Sequence, residues 1–158
     1  MNWKGSVLWG FVGTVFLTGL MSGTQGLGLT RMNLPFMLGT MFTPDRDRAK
    51  LVGFGVHLIN GWWLALVYAA AFQSWRRATC WLGLGVGLVH GLFLLLVVLP
   101  MLSGLHPRMA SEQRGPEPTR QLEPPGFLAL NYGRRTPLSV ILAHLVYGTI
   151  LGAFYRLR

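Results

Sequence analysis

Long uncharged, largely apolar windows alternate with charged segments along this chain. No Asp, Glu, Lys or Arg falls within residues 5–30, 51–75, 78–107 or 136–155. A helix needs about 20 predominantly apolar residues to cross a bilayer, and each window supplies that length. The pattern predicts four transmembrane helices, near residues 6–22, 51–73, 81–102 and 137–155. Long loops over 23–50 and 103–136 flank a short connection between the second and third spans. A soluble bundle would need polar faces recurring every three or four residues to solvate its outside, and those faces are missing. The expectation is a single all-α integral-membrane domain over residues 1–158.

The first window resembles a secretory signal in one respect: Lys4 precedes an apolar run that ends in Ser22, Gly23 and Thr24. A cleavable signal has a shorter apolar core and an Ala-x-Ala-like site. The run is therefore read as a helix. Both long loops end alike. Leu34, Pro35, Phe36 and the apolar residues to Phe42 precede the charged cluster from Asp45 to Lys50, and Pro125 to Tyr132 precede Arg134 and Arg135. An apolar, aromatic stretch followed by cations predicts a short interfacial segment before the second and the fourth helix. Residues 102–124 carry four prolines and alternating charges, the composition of an extended, solvent-facing excursion.

Composition agrees with the pattern, since 51% hydrophobic and 12% charged residues is too apolar for an ordinary soluble domain. The net charge of +9 does not imply nucleic acid, because the cations sit at the ends of hydrophobic spans, where they anchor beside lipid headgroups. The lipid bilayer is the expected partner, with a homo-oligomer or a larger membrane complex as further associations. One side of the membrane holds Lys4, Arg76, Arg77, Arg156 and Arg158, and the other nine basic residues with all five acids. The density of cations on short connections places both termini in the cytoplasm. Cys80 is the sole cysteine, which excludes an internal disulfide.

Without water between them, membrane helices associate where small residues let backbones approach. Ser6, Gly10, Thr14, Thr18 and Ser22 form such a stripe in the first span, Gly83, Gly87 and Gly91 in the third, and Gly148 and Gly152 in the fourth. They read as packing faces.

The second and fourth spans share one further pattern, His-x3-Gly-x6-Tyr: His57, Gly61 and Tyr68 in one, His144, Gly148 and Tyr155 in the other. Histidine inside lipid is costly, so its recurrence in one frame predicts two similar helical hairpins in parallel arrangement around a shared polar centre. Eleven residues turn about 1100°, close to whole turns, so each histidine shares a face with its tyrosine. The rise per residue puts His57 and His144 at nearly the same depth, with His90 about 10 Å deeper.

Paired imidazoles on facing helices are a geometry for axial ligation of haem iron, and imidazole also ligates zinc and copper. His57 and His144 are thus candidate cofactor ligands, with His90 as a further one; haem b is the cofactor they would take. A second pattern, His106, Met109 and Glu112, has a spacing able to fold onto a metal. The structural alternative keeps the histidines neutral and hydrogen-bonded to each other, to Asn60, to the Thr14 and Thr18 hydroxyls or to carbonyls, locking the halves together. Signatures of hydrolases, phosphate-binding loops and zinc proteases are absent, and no acidic pair lies in the spans.

With these residues assembled, the chain resembles an uncharacterised family of small bacterial membrane proteins related to the YagU-like inner-membrane proteins. The resemblance rests on Met32-Asn33-Leu34-Pro35 with Leu38-Gly39, on Gly53, His57 and Gly61 continuing to Ala65-Leu66-Val67-Tyr68, on Gly87 and Val98-Leu99-Pro100, and on His144-Leu145-Val146-Tyr147-Gly148 with Gly152 and Tyr155. It covers most of the chain outside residues 103–126. Similar sequences often carry Asp where Asn33 stands. The resemblance implies four helices and residence in the bacterial cytoplasmic membrane, and supplies no catalytic residues. The expected function is that of a non-enzymatic accessory or stress-related membrane protein. The alternatives are a haem- or metal-binding electron-transfer module and a small oligomeric channel or carrier.

Overall fold

The computed structural model of the chain describes residues 1–110 and 122–157. Among them the fold is all-helical, with four helices long and apolar enough to cross a membrane. α1 spans Trp3–Gly26, α3 Arg46–Ser74 and α6 Thr136–Phe154. The remaining long helix runs Cys80–Leu105 and is composite: α4 (Cys80–Phe93), a π-helical turn (Leu94–Val98) and α5 (Leu99–Leu105). α2 (Leu34–Gly39) precedes α3, and a short 3-10 segment (Phe127–Tyr132) precedes α6. α1 and α3 begin ahead of their uncharged windows, and capping groups fix the starts of α1, α3 and α4. Asn2 accepts from the Gly5 amide, Asp45 from the Asp47 and Arg48 amides, and Thr79 from the Leu82 amide, satisfying first-turn donors that have no partner within the helix.

Small residues decide which helices touch. α4 and α6 pack backbone to backbone: a Cβ on Gly83 would lie 2.0 Å from the Gly148 carbonyl oxygen, and one on Gly87 2.3 Å from that of His144. α1 meets α3 where a Cβ on Gly61 would lie 1.8 Å from the Thr14 hydroxyl, and one on Gly10 2.7 Å from the Ala65 methyl. α1 also packs on α6, where the Tyr147 ring lies against Gly13 and Trp9 stacks on Phe154 at 4.5 Å. α2 lies on α3 with Gly39 against the Ala49 carbonyl and Gly53 against that of Pro35. Among the long helices that follow one another in the chain, α3 and α4 alone make almost no close approach. The helices therefore run α3, α1, α6, α4 around an arc that stays open between its two ends.

Each end of the bundle is tied by polar contacts. At one end the Tyr155 hydroxyl accepts from the Asn2 amide at 3.0 Å and from Gln73 Nε2 at 3.3 Å. At the other, the Thr30 and Thr136 hydroxyls are hydrogen-bonded at 2.7 Å, and the Arg31 amide donates to the Tyr132 carbonyl.

The stretch after α5 differs from the extended excursion its composition suggests. His106 and Met109 are fully buried, and the Ala110 amide donates to the Leu122 carbonyl while the Leu122 amide donates to that of Arg108. Residues 111–121, which carry Pro116, Pro118 and most of the charges of this stretch, lie outside the described residues.

The α4/α6 contact yields a matched test. Gly83→Ala and Gly85→Ala gain the same helix propensity, but nothing lies within 4 Å of a Cβ on Gly85. Overpacking costs about 1–3 kcal/mol, so thermal unfolding in detergent should find Gly83→Ala less stable than Gly85→Ala by about that amount.

Candidate functional site

The open side of the arc leaves a cavity of about 140 Å³ between α3 and α4, floored by α1 and α6. Its walls are apolar except for His57 and Asn60 on α3, His90 on α4, His144 on α6 and Thr14 on α1. Four separate helices thus bring their intramembrane polar groups to one place. Leu94, Val98, Leu99 and Leu102 complete the wall beside His90, so the π-helical turn borders the cavity directly.

The histidines are held differently. The Val140 carbonyl can only accept, so His144 Nδ1 carries the proton and donates to it at 2.7 Å; Nε2 is left as the free nitrogen. The hydrogen-bond reading that named carbonyl partners therefore describes His144. The Thr14 and Thr18 hydroxyls instead donate back to the Gly10 and Thr14 carbonyls of their own helix, each at 2.7 Å. The His90 Nδ1 and the Tyr68 hydroxyl are hydrogen-bonded at 3.2 Å, joining α4 to α3 across the open side. His57 Nε2 is buried and, among the described residues, has no hydrogen-bond partner. A buried polar atom without a partner is uncommon and calls for an explanation.

His90 is not a turn or more away from its neighbours as the helical rise suggests. Its ring centroid lies 4.6 Å from that of His144, edge to face at 79°. The glycines of α4 let it settle against α6, which brings the two rings to one level. Tyr147 and Tyr68 extend this cluster, their rings 5.4 Å apart and nearly perpendicular. The Tyr147 hydroxyl donates to the Gly61 carbonyl at 2.6 Å, linking α6 to α3 past α1. The sequence marks Tyr147 within the His144–Gly148 stretch, but not its role, which comes from the space opposite Gly13.

The donor set does not fit a haem. Cofactor-sized pockets run to about 300–1,000 Å³, against about 140 Å³ here, and the His90 and His144 rings are in contact with no slot between them. Trp62 and Trp63, aromatic residues close in sequence to His57 on α3 that could wall a macrocycle, are both exposed, and Trp62 donates to the Val7 carbonyl at 3.1 Å. Among the described residues no group of three or more His, Cys, Asp or Glu is arranged to hold a metal ion.

His106, Met109 and Glu112 are placed elsewhere. Glu112 lies outside the described residues. Met109 is part of the buried core. His106 is a cross-link: Nε2 donates to the Met37 carbonyl at 2.8 Å, and Nδ1 accepts from the Arg108 amide at 3.1 Å. The Arg108 guanidinium donates to the Thr40 carbonyl at 2.6 Å. Both ring nitrogens are thus used to fasten the neck after α5 onto α2. The wide spacing of 69 residues between the His106 and Met37 partners hides this role from a local motif search.

No family model, curated protein or solved structure matches this chain. The site is accordingly argued from its own geometry.

Burial holds the His106 imidazole below its ordinary range, the Met37 carbonyl opposes that shift, and the nearby Arg108 charge adds to it. Protonation would also set a second N–H against the Arg108 amide. The unfolded chain therefore takes up a proton that the folded chain refuses, and stability is lost as pH falls through about 6.5. Unfolding temperature in detergent should fall more steeply between about pH 7.5 and 5.5 for the native chain than for His106→Gln. The other histidines are common to both proteins, so the difference isolates His106.

Proposed function

We propose that this chain is a non-enzymatic, multi-pass membrane protein whose helices hold a lipid-embedded receptor site for a small, mostly apolar molecule. The observation that carries this reading is the convergence of His57, His90 and His144 on one apolar cavity, with the His57 Nε2 left unpartnered. The walls supply shape and a few hydrogen-bonding nitrogens, the usual composition of a small-molecule site. A cavity of about this size accepts a single six-membered ring. The spans contain no acid, and we read the site as one for binding rather than for chemistry. An accessory or stress-related function in a bacterial cytoplasmic membrane, in the family this chain resembles and with both termini cytoplasmic, is the setting we assign to it. A homo-oligomer or a larger membrane complex is compatible with its exposed apolar faces.

Two related hairpins are part of the same reading. Gly10 and Thr14 of α1 meet Gly61 and Ala65 of α3, while Gly83 and Gly87 of α4 meet Gly148 and Gly152 of α6. In both pairs the contacts recur at four-residue spacing, and the glycine of the His-x3-Gly-x6-Tyr motif faces the preceding long helix. The tyrosines correspond too, since Tyr68 reaches His90 and Tyr155 reaches Asn2, each on the other hairpin. A channel along the glycine stripes is disfavoured, because those glycines are occupied by neighbouring backbone.

Toluene and p-cresol separate shape from hydrogen bonding. Both fit a ring-sized space, but only p-cresol offers a hydroxyl to an imidazole. Added to detergent-purified protein, p-cresol should raise the unfolding temperature more than toluene, and His144→Phe should abolish the difference. Equal effects of the two probes on the native chain would defeat the proposal. A Soret band in the purified protein would instead revive a haem site.

A further inference from the structure

A second cavity, of about 380 Å³, lies on the other side of α2. Met37 is common to the walls of both cavities, but their chemistry differs. Arg31, Arg46 and Lys50 line the second one, together with Asn33, Tyr132 and, among the described residues, a single acid, Glu123. Glu123 is taken up by Arg31, with Oε2 and Nη2 3.1 Å apart. Arg31 also donates to the Asn131 carbonyl. This leaves two cations in surplus.

Neither of those cations has a strong carboxylate partner. Arg46 lies over the Phe36 ring, 5.6 Å from its centroid, and among the described residues it makes no ion pair. Lys50 approaches Asp47 at 3.8 Å, but Asp47 is 98% exposed and the pair is three residues apart on a helix surface. Such pairs contribute little. Arg46 and Lys50 are one turn apart on the same face of α3. The Tyr132 hydroxyl donates to the Glu123 carbonyl at 2.5 Å, which fixes the wall opposite them. Burial, then the Glu123 charge, raise the Tyr132 phenol to about 12, so it stays a neutral donor and adds no negative charge.

Position identifies what the surplus charge meets. Lys50 is the last charged residue before the uncharged stretch 51–75 of α3. The pocket therefore sits where the apolar span begins, at the level of lipid phosphates. Leu51, next in the chain, is 77% exposed and offers an apolar surface to acyl chains beside the pocket. Basic pockets at that level are suited to anionic headgroups, and an arginine beside a lysine matches the oxygens of a phosphate.

We propose that the cavity formed by Arg31, Arg46 and Lys50 binds the phosphate of an anionic membrane lipid. The site is independent of the histidine-lined cavity, and either can fail without the other. The whole chain in neutral detergent would be titrated with phosphatidylglycerol, phosphatidylcholine or inorganic phosphate while its unfolding temperature is followed. Phosphatidylglycerol should give the largest upward shift, and added salt should shrink it.

Arg46→Gln/Lys50→Gln should lose most of that shift, and the exposure of both side chains keeps the fold intact. Arg76→Gln/Arg77→Gln, at the opposite end of α3, should retain it. Equal shifts from phosphatidylglycerol and phosphatidylcholine, or equal loss in the two double variants, would overturn the site. A full shift from inorganic phosphate alone would overturn the lipid as its source.

Discussion

Close backbone approach at glycine is the constraint on which the rest of this structure depends. Lipid tails are as apolar as leucine, so apolar surface alone gives helices no reason to pair. Contact is gained instead where a missing Cβ lets two backbones meet, as Gly83 and Gly87 do with Gly148 and Gly152. The backbone-to-backbone contacts among the long helices are made at such positions, and α1 meets α6 where a glycine is filled by a tyrosine ring. The one consecutive pair without it, α3 and α4, stands apart, and the cavity lies there. The same rule that closes the bundle therefore also locates its opening.

The opening follows from the side chains that meet at the α6/α1 and α3/α4 interfaces. Tyr147 and Asn60 each follow their motif histidine by three residues. Tyr147 fills the space between α6 and α1, lies against Gly13 and is almost wholly buried. Asn60 is too short to fill the equivalent space between α3 and α4, and it borders the cavity. On α1, Leu17 stands seven residues after Gly10; on α4, His90 stands seven after Gly83. One interface thus receives a tyrosine and a leucine, whereas the other receives an asparagine and a histidine. The first is a packed joint. The second is a polar-edged space bridged at one level by the Tyr68 to His90 hydrogen bond.

Much of this was legible because its causes are local. Uncharged windows located the four long helices, and apolar stretches ahead of cations marked the places where α2 and the 3-10 segment form. The glycine stripes mark real packing faces, although Ser22, at the end of the first stripe, is exposed. His57 and His144 do face one cavity, as their shared phase on parallel helices suggests. What escaped the sequence depends on contacts between distant segments. The meeting of His90 with His144 requires knowing how far α4 slides along α6, and a uniform rise per residue cannot give that. The burial of His106 depends on Met37 and Arg108. The proline-rich composition around it gives no sign of where the chain is fastened.

The break in the third long helix was also hidden, although its cause is a single residue. Pro100 has no amide hydrogen to give the Leu96 carbonyl, and its ring crowds that carbonyl. The backbone relaxes into a π-helical turn over Leu94–Val98, closed by the Leu99 amide donating to the Leu94 carbonyl. One residue is thereby inserted into the helical repeat just past His90. Leu95 and Leu99 turn into the core, while Leu94, Val98 and Leu102 join the wall of the cavity. A straight α-helix would carry the glycine face of α4 past the histidines without this change of phase. The proline therefore shapes the cavity indirectly: it moves the wall beside His90 and leaves the glycine contacts, one turn earlier, undisturbed.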